Sequence, residues 1–375
     1  MNATPALSPM PRTLDVESLD QFDELVAGGA RQMSGWHLQS IDFSGRSAQL
    51  KAMDPSGAVF LGCVLAPGMD DSLRARGALV FPAIPGLPFN PYRPGLYTGP
   101  ELYEGVEFRP YEETPDALIY AWTKQQGRAG VEGALSVALH DHHIGESLQD
   151  ALKGPFAGRK IVGVMGGHAA QRGSQTYDDA ARLGRGLAGA GLVVATGGGP
   201  GTMEAANLGA YLSSAPEDEL DDALRRLAVV PGFRPSVSAW ARAALAVVGS
   251  HPGGTPSLGI PTWFYGHEPP NMFATHIAKY FANAVREAVL LEKANGGVVF
   301  LPGAAGTVQE VFQDACENYY ATPEAINPMV LMGKRYWTEE LPAWSLLERL
   351  AAGRGMAERV HLVDSVDEAV AVLAA

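Results

Sequence analysis

Cysteine is nearly absent: Cys63 and Cys316 are the only two in 375 residues. A disulfide framework and a Cys-x-x-Cys metal site are both excluded. Positive charge is also short. Lys and Arg total 28 against 41 Asp and Glu, giving a net charge of −13 and a sequence pI of about 5.2. No basic block offsets that balance, so neither nucleic acid nor an anionic membrane is an expected partner. No apolar run reaches membrane-spanning length. The opening residues MNATPALSPMPRTLD hold neither a basic start nor an apolar segment, so no signal peptide is read there. The expectation is a soluble cytoplasmic protein. A small anionic ligand stays open, because a local backbone site can bind phosphate on an acidic protein.

What is present is enough for a sizeable core. Hydrophobic residues make up 46% and charged residues 18% of the chain, and the length points to two or three domains. The texture changes near residue 155. Before it the chain is irregular and rich in Pro, Gly and Tyr, as in FPAIPGLPFNPYRPGLYTGPELYEG from Phe81 to Gly105. After it, apolar runs alternate with helical patterns. The expected division is an accessory domain over 1–155, α+β or β-rich, and a second domain over 156–375, with GPFAGRK (Gly154 to Lys160) as the junction.

The second part reads as β-α units. KIVGVMGG (Lys160 to Gly167), LVVAT (Leu192 to Thr196), SLGIPTWF (Ser257 to Phe264), GVVFL (Gly297 to Leu301), PMVLMG (Pro328 to Gly333) and RVHLVDS (Arg359 to Ser365) are candidate strands. Thr176 to Gly191 reads as a helix with Thr176 and Asp179 as a capping pair, and Asn271 to Ala294 reads as mostly one long helix. Short apolar strands alternating with helices imply a doubly wound parallel sheet, Rossmann-like, with ligands at the carboxyl ends of its strands. In the first part, Leu50, Pro55, Phe60 and Leu65 recur every five residues, which fits either a short pentapeptide-repeat coil or an ordinary pair of strands. ALHDHHIGESLQDALK (Ala138 to Lys153) looks helical. Its His140-Asp141-His142-His143 run has no matching ligands at a telling spacing, so a solvated or interface face is expected there and no metal.

Two glycine-rich loops follow strands: TGGGPG (Thr196 to Gly201) and LPGAAGTVQE (Leu301 to Glu310). Glycines let the backbone approach a ligand with no Cβ in the way. The helix that follows points unpaired N–H groups and the positive end of its dipole at the same place. A phosphate suits such a mouth, although either loop alone is equally a tight β-α turn. The candidate phosphate- and nucleotide-binding residues are Gly166, Gly167, Gly197, Gly198, Gly199, Gly201, Thr202, Gly303, Gly306 and Thr307.

TGGGPGTMEAANLGA together with PGAAGTVQE resembles the LOG family, also known as lysine decarboxylase-like. HEPPN (His267 to Asn271) is similar to a segment of the related nucleotide 5′-monophosphate nucleosidases. The resemblance covers roughly Lys160 to Ala375. It implies a Rossmann-like LOG-type domain that hydrolyses the N-glycosidic bond of a nucleoside 5′-monophosphate to base and ribose 5-phosphate. It also implies a homodimer and no cofactor. Pro302, Gly303, Gly306, Thr307 and Glu310 fit the family's Pro-Gly-Gly-x-Gly-Thr-x-x-Glu signature, while Ala304 and Gln309 depart from its usual residues. The resemblance assigns catalysis to Arg286 and Glu310. Read alone, Thr307-x-x-Glu310 is also a capping box, and Arg286 is also a solvated helix arginine. His168, Glu204, His267, Glu268 and Asn271 are candidate substrate contacts, though Glu204 also suits the helix dipole. Decarboxylation would need a lysine holding pyridoxal phosphate, and no lysine stands in a recognisable context for it. The alternative function is a nucleotide sensor of the same fold that does not hydrolyse its ligand.

Overall fold

A computed structural model describes residues 13–125, 130–264 and 268–375. The chain forms two compact units, one of residues 1–95 and 131–143, the other of residues 96–130 and 144–375.

The first unit is a stack of strand-helix coils. Strands β1 (Leu14–Val16), β2 (Trp36–Gln39), β3 (Val59–Leu61) and β4 (Leu79–Phe81) lie side by side in chain order. All three pairings are parallel. Helices α1 (Leu19–Ala27), α2 (Ser47–Ala52) and α3 (Met69–Ala75) make the returns. Asp15, His37, Val59 and Leu79 occupy one register row, so each coil takes 22, 22 and then 20 residues. A glycine precedes each of β2, β3 and β4. Gly35 N–H donates to Gly57 O, and Gly57 N–H to Gly77 O, both at 3.0 Å. All three glycines have positive φ, between 76° and 93°, a turn that side chains resist. Val16, Leu38 and Phe60 stack inside the coil, with Phe22, Phe43 and Phe60 in edge contact.

Two expectations for this unit are corrected. The five-residue spacing marks neither a pentapeptide coil nor a strand pair: Leu50 lies in α2 and Phe60 in β3. The true repeat is about four times longer. The histidine run is not a solvated face. His140 and His143 are buried, with their rings edge-on to Phe89 and Tyr92. Burial pushes both imidazoles below the ordinary histidine range. No group of three or more metal-ligating side chains occurs among the described residues.

The second unit begins with α4 (Gly99–Leu102) and α5 (Pro115–Lys124). Helix α6 (Val131–Lys153) gives its residues 131–143 to the first unit and the rest to this one. Seven parallel strands follow: β5 (Ile161–Met165), β6 (Val193–Thr196), β7 (Leu258–Gly259), β8 (His276–Ile277), β9 (Val298–Phe300), β10 (Met329–Met332) and β11 (Val360–Val363). Their order across the sheet is β11-β10-β9-β5-β6-β7-β8. Helices α7 (Gln175–Gly189), α8 (Thr202–Tyr211), α9 (Glu217–Ala228), α10 (Val237–Ser250), α11 (Asn283–Lys293), α12 (Ala305–Tyr320), α13 (Ala343–Ala351) and α14 (Val366–Ala374) complete the doubly wound, Rossmann-like architecture. Every residue of β5, β6, β9 and β10 is buried. Their unbroken apolar runs follow from a sheet covered on both faces.

Local chemistry sets the helix ends. Leu220, Ala223, Leu224 and Leu227 of α9 share a buried face, with acids in the first turn and Arg225 and Arg226 in the last. Ser365 and Glu368 form a capping box on α14. For α7 the cap is Ser174, which accepts from Tyr177 N–H, and not the Thr176–Asp179 pair expected. The long helix expected over Asn271–Ala294 is also corrected. Its first half is extended and supplies β8, so only α11 is helical. Pairing of Leu258 with His276 draws this stretch into the sheet. No helix among the described residues is long and apolar enough to cross a membrane.

Candidate active site

The strand order fixes where a crevice opens. From β5 the chain moves outward through β6, β7 and β8, then returns to the other side of β5 at β9. At such a reversal the loops leaving neighbouring strands part, and a ligand can enter between them. A cavity of about 750 Å³ lies there, lined by the loops after β5, β6 and β9.

The three loops are tied by backbone bonds. Gly167 N–H donates to Pro302 O at 3.2 Å, and Thr202 N–H donates to Gly167 O at 3.2 Å. Thr202 Oγ1 also bonds Gly167 O. Gly201 has φ 74°, and a Cβ there would stand 2.5 Å from Gly167 O. A Cβ on Gly303 would stand 2.1 Å from Thr307 Oγ1. Both positions need glycine for closeness, and Gly201 for its backbone angle as well. Tyr336 donates its hydroxyl to Gly303 O at 2.6 Å, holding the second loop from outside.

Asn271 holds the first loop. Its N–H donates to Gly198 O at 2.8 Å, and its amide nitrogen bonds Gly199 O and Asn207 Oδ1. Its amide oxygen accepts from the N–H groups of Phe273 and Ala274. Asn271 is fully buried with its amide spent inside the protein, so the structure gives it a loop-holding place and not an open face. Thr196 completes the support, donating to Asn207 Oδ1 at 2.7 Å and accepting from Gly198 N–H at 2.9 Å.

Helices α8 and α12 begin at this cavity. The residues at their caps are Gly201 and Ala304, and neither supplies a side-chain cap. Thr202 N–H of α8 is already spent on Gly167 O, so it is the start of α12 that offers its first N–H groups to a ligand. Ala304 has φ −92°, which any L-residue adopts, so its departure from the family signature costs no backbone strain.

Thr307 is the third residue of α12 and not its cap. The capping-box reading of Thr307 and Glu310 is corrected on that ground. Glu310 instead faces Arg286 of α11, whose Nη1 lies 3.4 Å from Glu310 Oε1. The two side chains are 15% and 14% exposed, so Arg286 is no solvated helix residue. The guanidinium also borders the first glycine loop: a Cβ on Gly197 would lie 2.9 Å from Arg286 Nη2. Burial pushes the Glu310 carboxyl above the ordinary range; Arg286 pulls it down, and Glu287 adds to the rise. Glu287 is held by Gln309 at 2.9 Å and by Asn283 at 2.7 Å. The site therefore keeps a buried carboxylate beside a guanidinium, between two uncapped helix starts.

The other candidates divide. His168 and Glu268 both line the cavity, with His168 Nδ1 3.3 Å from Glu268 Oε1. Gly166, Gly167, Gly197, Gly199, Gly303, Gly306 and Thr307 line it too, whereas Gly198 and Thr202 do not and Gly201 lines a smaller adjoining cavity. Glu204 is 1% exposed and both of its carboxylate oxygens accept from one edge, Nε and Nη2, of the Arg172 guanidinium. It is committed to that pair while still bordering the smaller cavity that adjoins the main one. His267 lies outside the described residues. The sequence reading missed Tyr336 and Arg172. Tyr336 follows β10 at the carboxyl end of the sheet, which is a usable signal once the strand order is known. Nothing local marks Arg172.

The fold and cavity define a Rossmann-like α/β unit with a ligand crevice at its topological reversal. The resemblance to LOG-type, lysine decarboxylase-like proteins holds: residues 239–373 match the family described as "Possible lysine decarboxylase", and residues 159–215 match the "SLOG cluster4 family". No curated protein matches the chain. Among solved structures, the molybdenum cofactor binding protein of Rippkaea orientalis is similar at 18% identity and a TM-score of 0.37, covering 57% of this chain and 95% of that one. The Moco carrier protein of Chlamydomonas reinhardtii is similar at 20% identity and a TM-score of 0.36, with 57% and 95% covered.

Proposed function

We propose that this protein is a nucleoside 5′-monophosphate phosphoribohydrolase, releasing free base and ribose 5-phosphate. The observation that carries the proposal is the buried Arg286–Glu310 pair beside two glycine-loop helix starts. The uncapped N–H groups suit the phosphate. Glu310, one turn into α12, then stands near the ribose of the same ligand. As the C1′–N bond lengthens, positive charge grows on the ribose, and a carboxylate stabilises it. Glu310 takes a proton from the attacking water as the C1′–O bond forms. The base leaves with the electron pair of the broken bond and is protonated. Arg286 orients the carboxylate and adds a planar donor fork for the phosphate.

Glu310 must be ionised to act as a base. Its carboxyl is held above the usual range by burial, so turnover rises with pH through that raised value and is lost below it. The test is incubation with a panel of purine and pyrimidine nucleoside monophosphates, following base and ribose 5-phosphate. Glu310→Gln is expected to lower turnover by about 10²–10⁴-fold with the thermal midpoint kept. Unchanged turnover in that variant would remove Glu310 from the mechanism.

A second reading has its own observation. Gln309 stands where many LOG-type signatures have a glutamate, and it is spent on Glu287. A site short of that carboxylate would bind nucleotide and sense it without cleavage. Tight binding with no base release from any monophosphate is the outcome that selects this reading.

A further inference from the structure

A second cavity of about 340 Å³ shares His168, Ala169, Ala170 and Glu268 with the main one, so the two are lobes of one crevice. Its far wall is the segment Pro231–Arg234, with Trp240 behind it and Gln171 opposite. This wall is built, not incidental. Arg172 N–H donates to Pro231 O at 2.9 Å, and its Nη1 donates to Trp240 O at 3.1 Å. The same guanidinium lies over the Trp240 ring at 4.7 Å and pairs with buried Glu204. Phe233 stands edge-on to Trp240 with centroids 6.4 Å apart, and the Arg234 guanidinium lies 5.6 Å from the Phe233 ring. Residues 231–234 fall in the gap between the two family matches, which end at 215 and resume at 239. The wall is thus supplied by sequence that neither family model describes.

The two lobes differ in chemistry. The main lobe has the start of α12, Arg286, Glu287 and Glu310, which suit phosphate and ribose, while Gly201 and Glu204 at the start of α8 border the second lobe. Among the described residues the main lobe's one carbocyclic ring is Tyr336, whose hydroxyl is committed to Gly303 O. A stacking face stands in the second lobe, at Phe233, beside the planar Arg234 fork and the Gln171 amide. Aromatic and guanidinium planes hold nucleobases by stacking, and an amide can read a base edge. Resting on the nucleotide reading above, we infer that the second lobe is the nucleobase subsite. Phe233 stacks on the base, and Gln171 and Arg234 set which base is accepted.

The test compares calorimetric binding of nucleoside monophosphates with that of ribose 5-phosphate, which lacks the base. Phe233→Ala is expected to weaken the preferred monophosphate roughly tenfold or more and to leave ribose 5-phosphate unchanged. Phe233→Trp should restore most of the loss, which separates stacking from a folding defect. Gln171→Ala should narrow the affinity gap between preferred and disfavoured bases. Equal losses for both ligands, or no loss in Phe233→Ala, would overturn the subsite. Failure of the wild type to bind any monophosphate or ribose 5-phosphate would instead overturn the nucleotide reading, and the subsite with it.

Discussion

Both units of this chain are parallel sheets with helical returns, yet they offer very different surfaces for chemistry. In the first unit the strands sit in chain order, β1 to β4. Each coil repeats the last, and the cavity of this unit, beside Ser40, Gly62 and the loop after β4, is smaller, about 420 Å³. In the second unit the order reverses at β5 and β9, and the 750 Å³ cavity opens at that reversal. Topology, more than strand composition, decides where the larger crevice opens.

The interiors differ in the same direction. Among the described residues of the first unit, the buried polar groups are Gln39, Ser136, His140 and His143, with no buried Asp, Glu, Lys or Arg. The second unit buries Asp116 with Lys279, Arg172 with Glu204, and Asp314. Charge taken out of water is costly unless partnered. The second unit therefore spends packing energy on polar clusters that fix loops around its site. The first spends its interior on aromatic and aliphatic stacking.

The sharpest way to break this contrast is to remove one buried charge from the second unit. Asp116 accepts from Lys279 Nζ at 2.6 Å, from Trp263 Nε1 at 2.8 Å and from the Tyr111 hydroxyl at 2.5 Å. These bonds tie α5 to the chain after β7 and β8. Asp116→Ala leaves the Lys279 ammonium buried and unpaired, and is expected to cost about 3–5 kcal/mol. Amide hydrogen exchange should quicken in β5–β8. Unaltered exchange there would show that the cluster holds nothing.

Asp116 also shows what was legible beforehand. The composition break near 155 does not coincide with the compact units, because residues 96–130 lie in the second one. Pro- and Gly-rich texture describes how a chain turns, not what it packs on. By contrast, β5, β6, β9 and β10 were legible as short apolar runs, since burial on both faces leaves no polar alternation. The glycine loops were legible because few other residues make such turns. The 271–294 helix failed for a tertiary reason: its apolar spacing fits a helix, but sheet pairing at His276 and the buried Asn271 amide override it. The 20–22-residue coil of the first unit was hidden by strands of only three or four residues. The facing of Arg286 and Glu310 came from family resemblance, since 24 positions separate them.

The second expected effect concerns pH, where buried groups of the two units, Asp314 in one and His140 with His143 in the other, contribute with opposite signs. Burial raises the Asp314 carboxyl from 3.8 to about 8, with Glu317 adding to the rise. The folded second unit then holds a proton that the unfolded chain releases. The contribution of this proton to stability is full below pH 4 and falls as pH rises toward 8. Burial lowers His140 and His143, so the unfolded chain binds their protons first. The first unit loses stability as pH drops below about 6.5. Asp314→Asn should stabilise the second unit by an amount that grows as pH rises from 4 toward 8 and vanishes near pH 4. A gain independent of pH would mean that packing, not the proton, separates the variants.

The smallest expected effect tests the first unit alone. Gly57 is the middle rung of the Gly35–Gly57–Gly77 ladder, at φ 76°, and a Cβ there would meet only Ser34 Oγ at 3.1 Å. That neighbour is the end of a short side chain and can shift. The cost of Gly57→Ala is therefore mainly the left-handed backbone, about 1 kcal/mol. Gly45, with nothing near its Cβ position and no positive φ, is the control, and alanine there should be neutral or slightly stabilising. Hydrogen exchange should report the Gly57 loss in β2, β3 and β4 and leave β5 and β6 as they were. Were Gly57→Ala as mild as Gly45→Ala, the turns between coils would owe their shape to the stacked strands on either side, and the ladder would be a consequence of the repeat and not one of its causes.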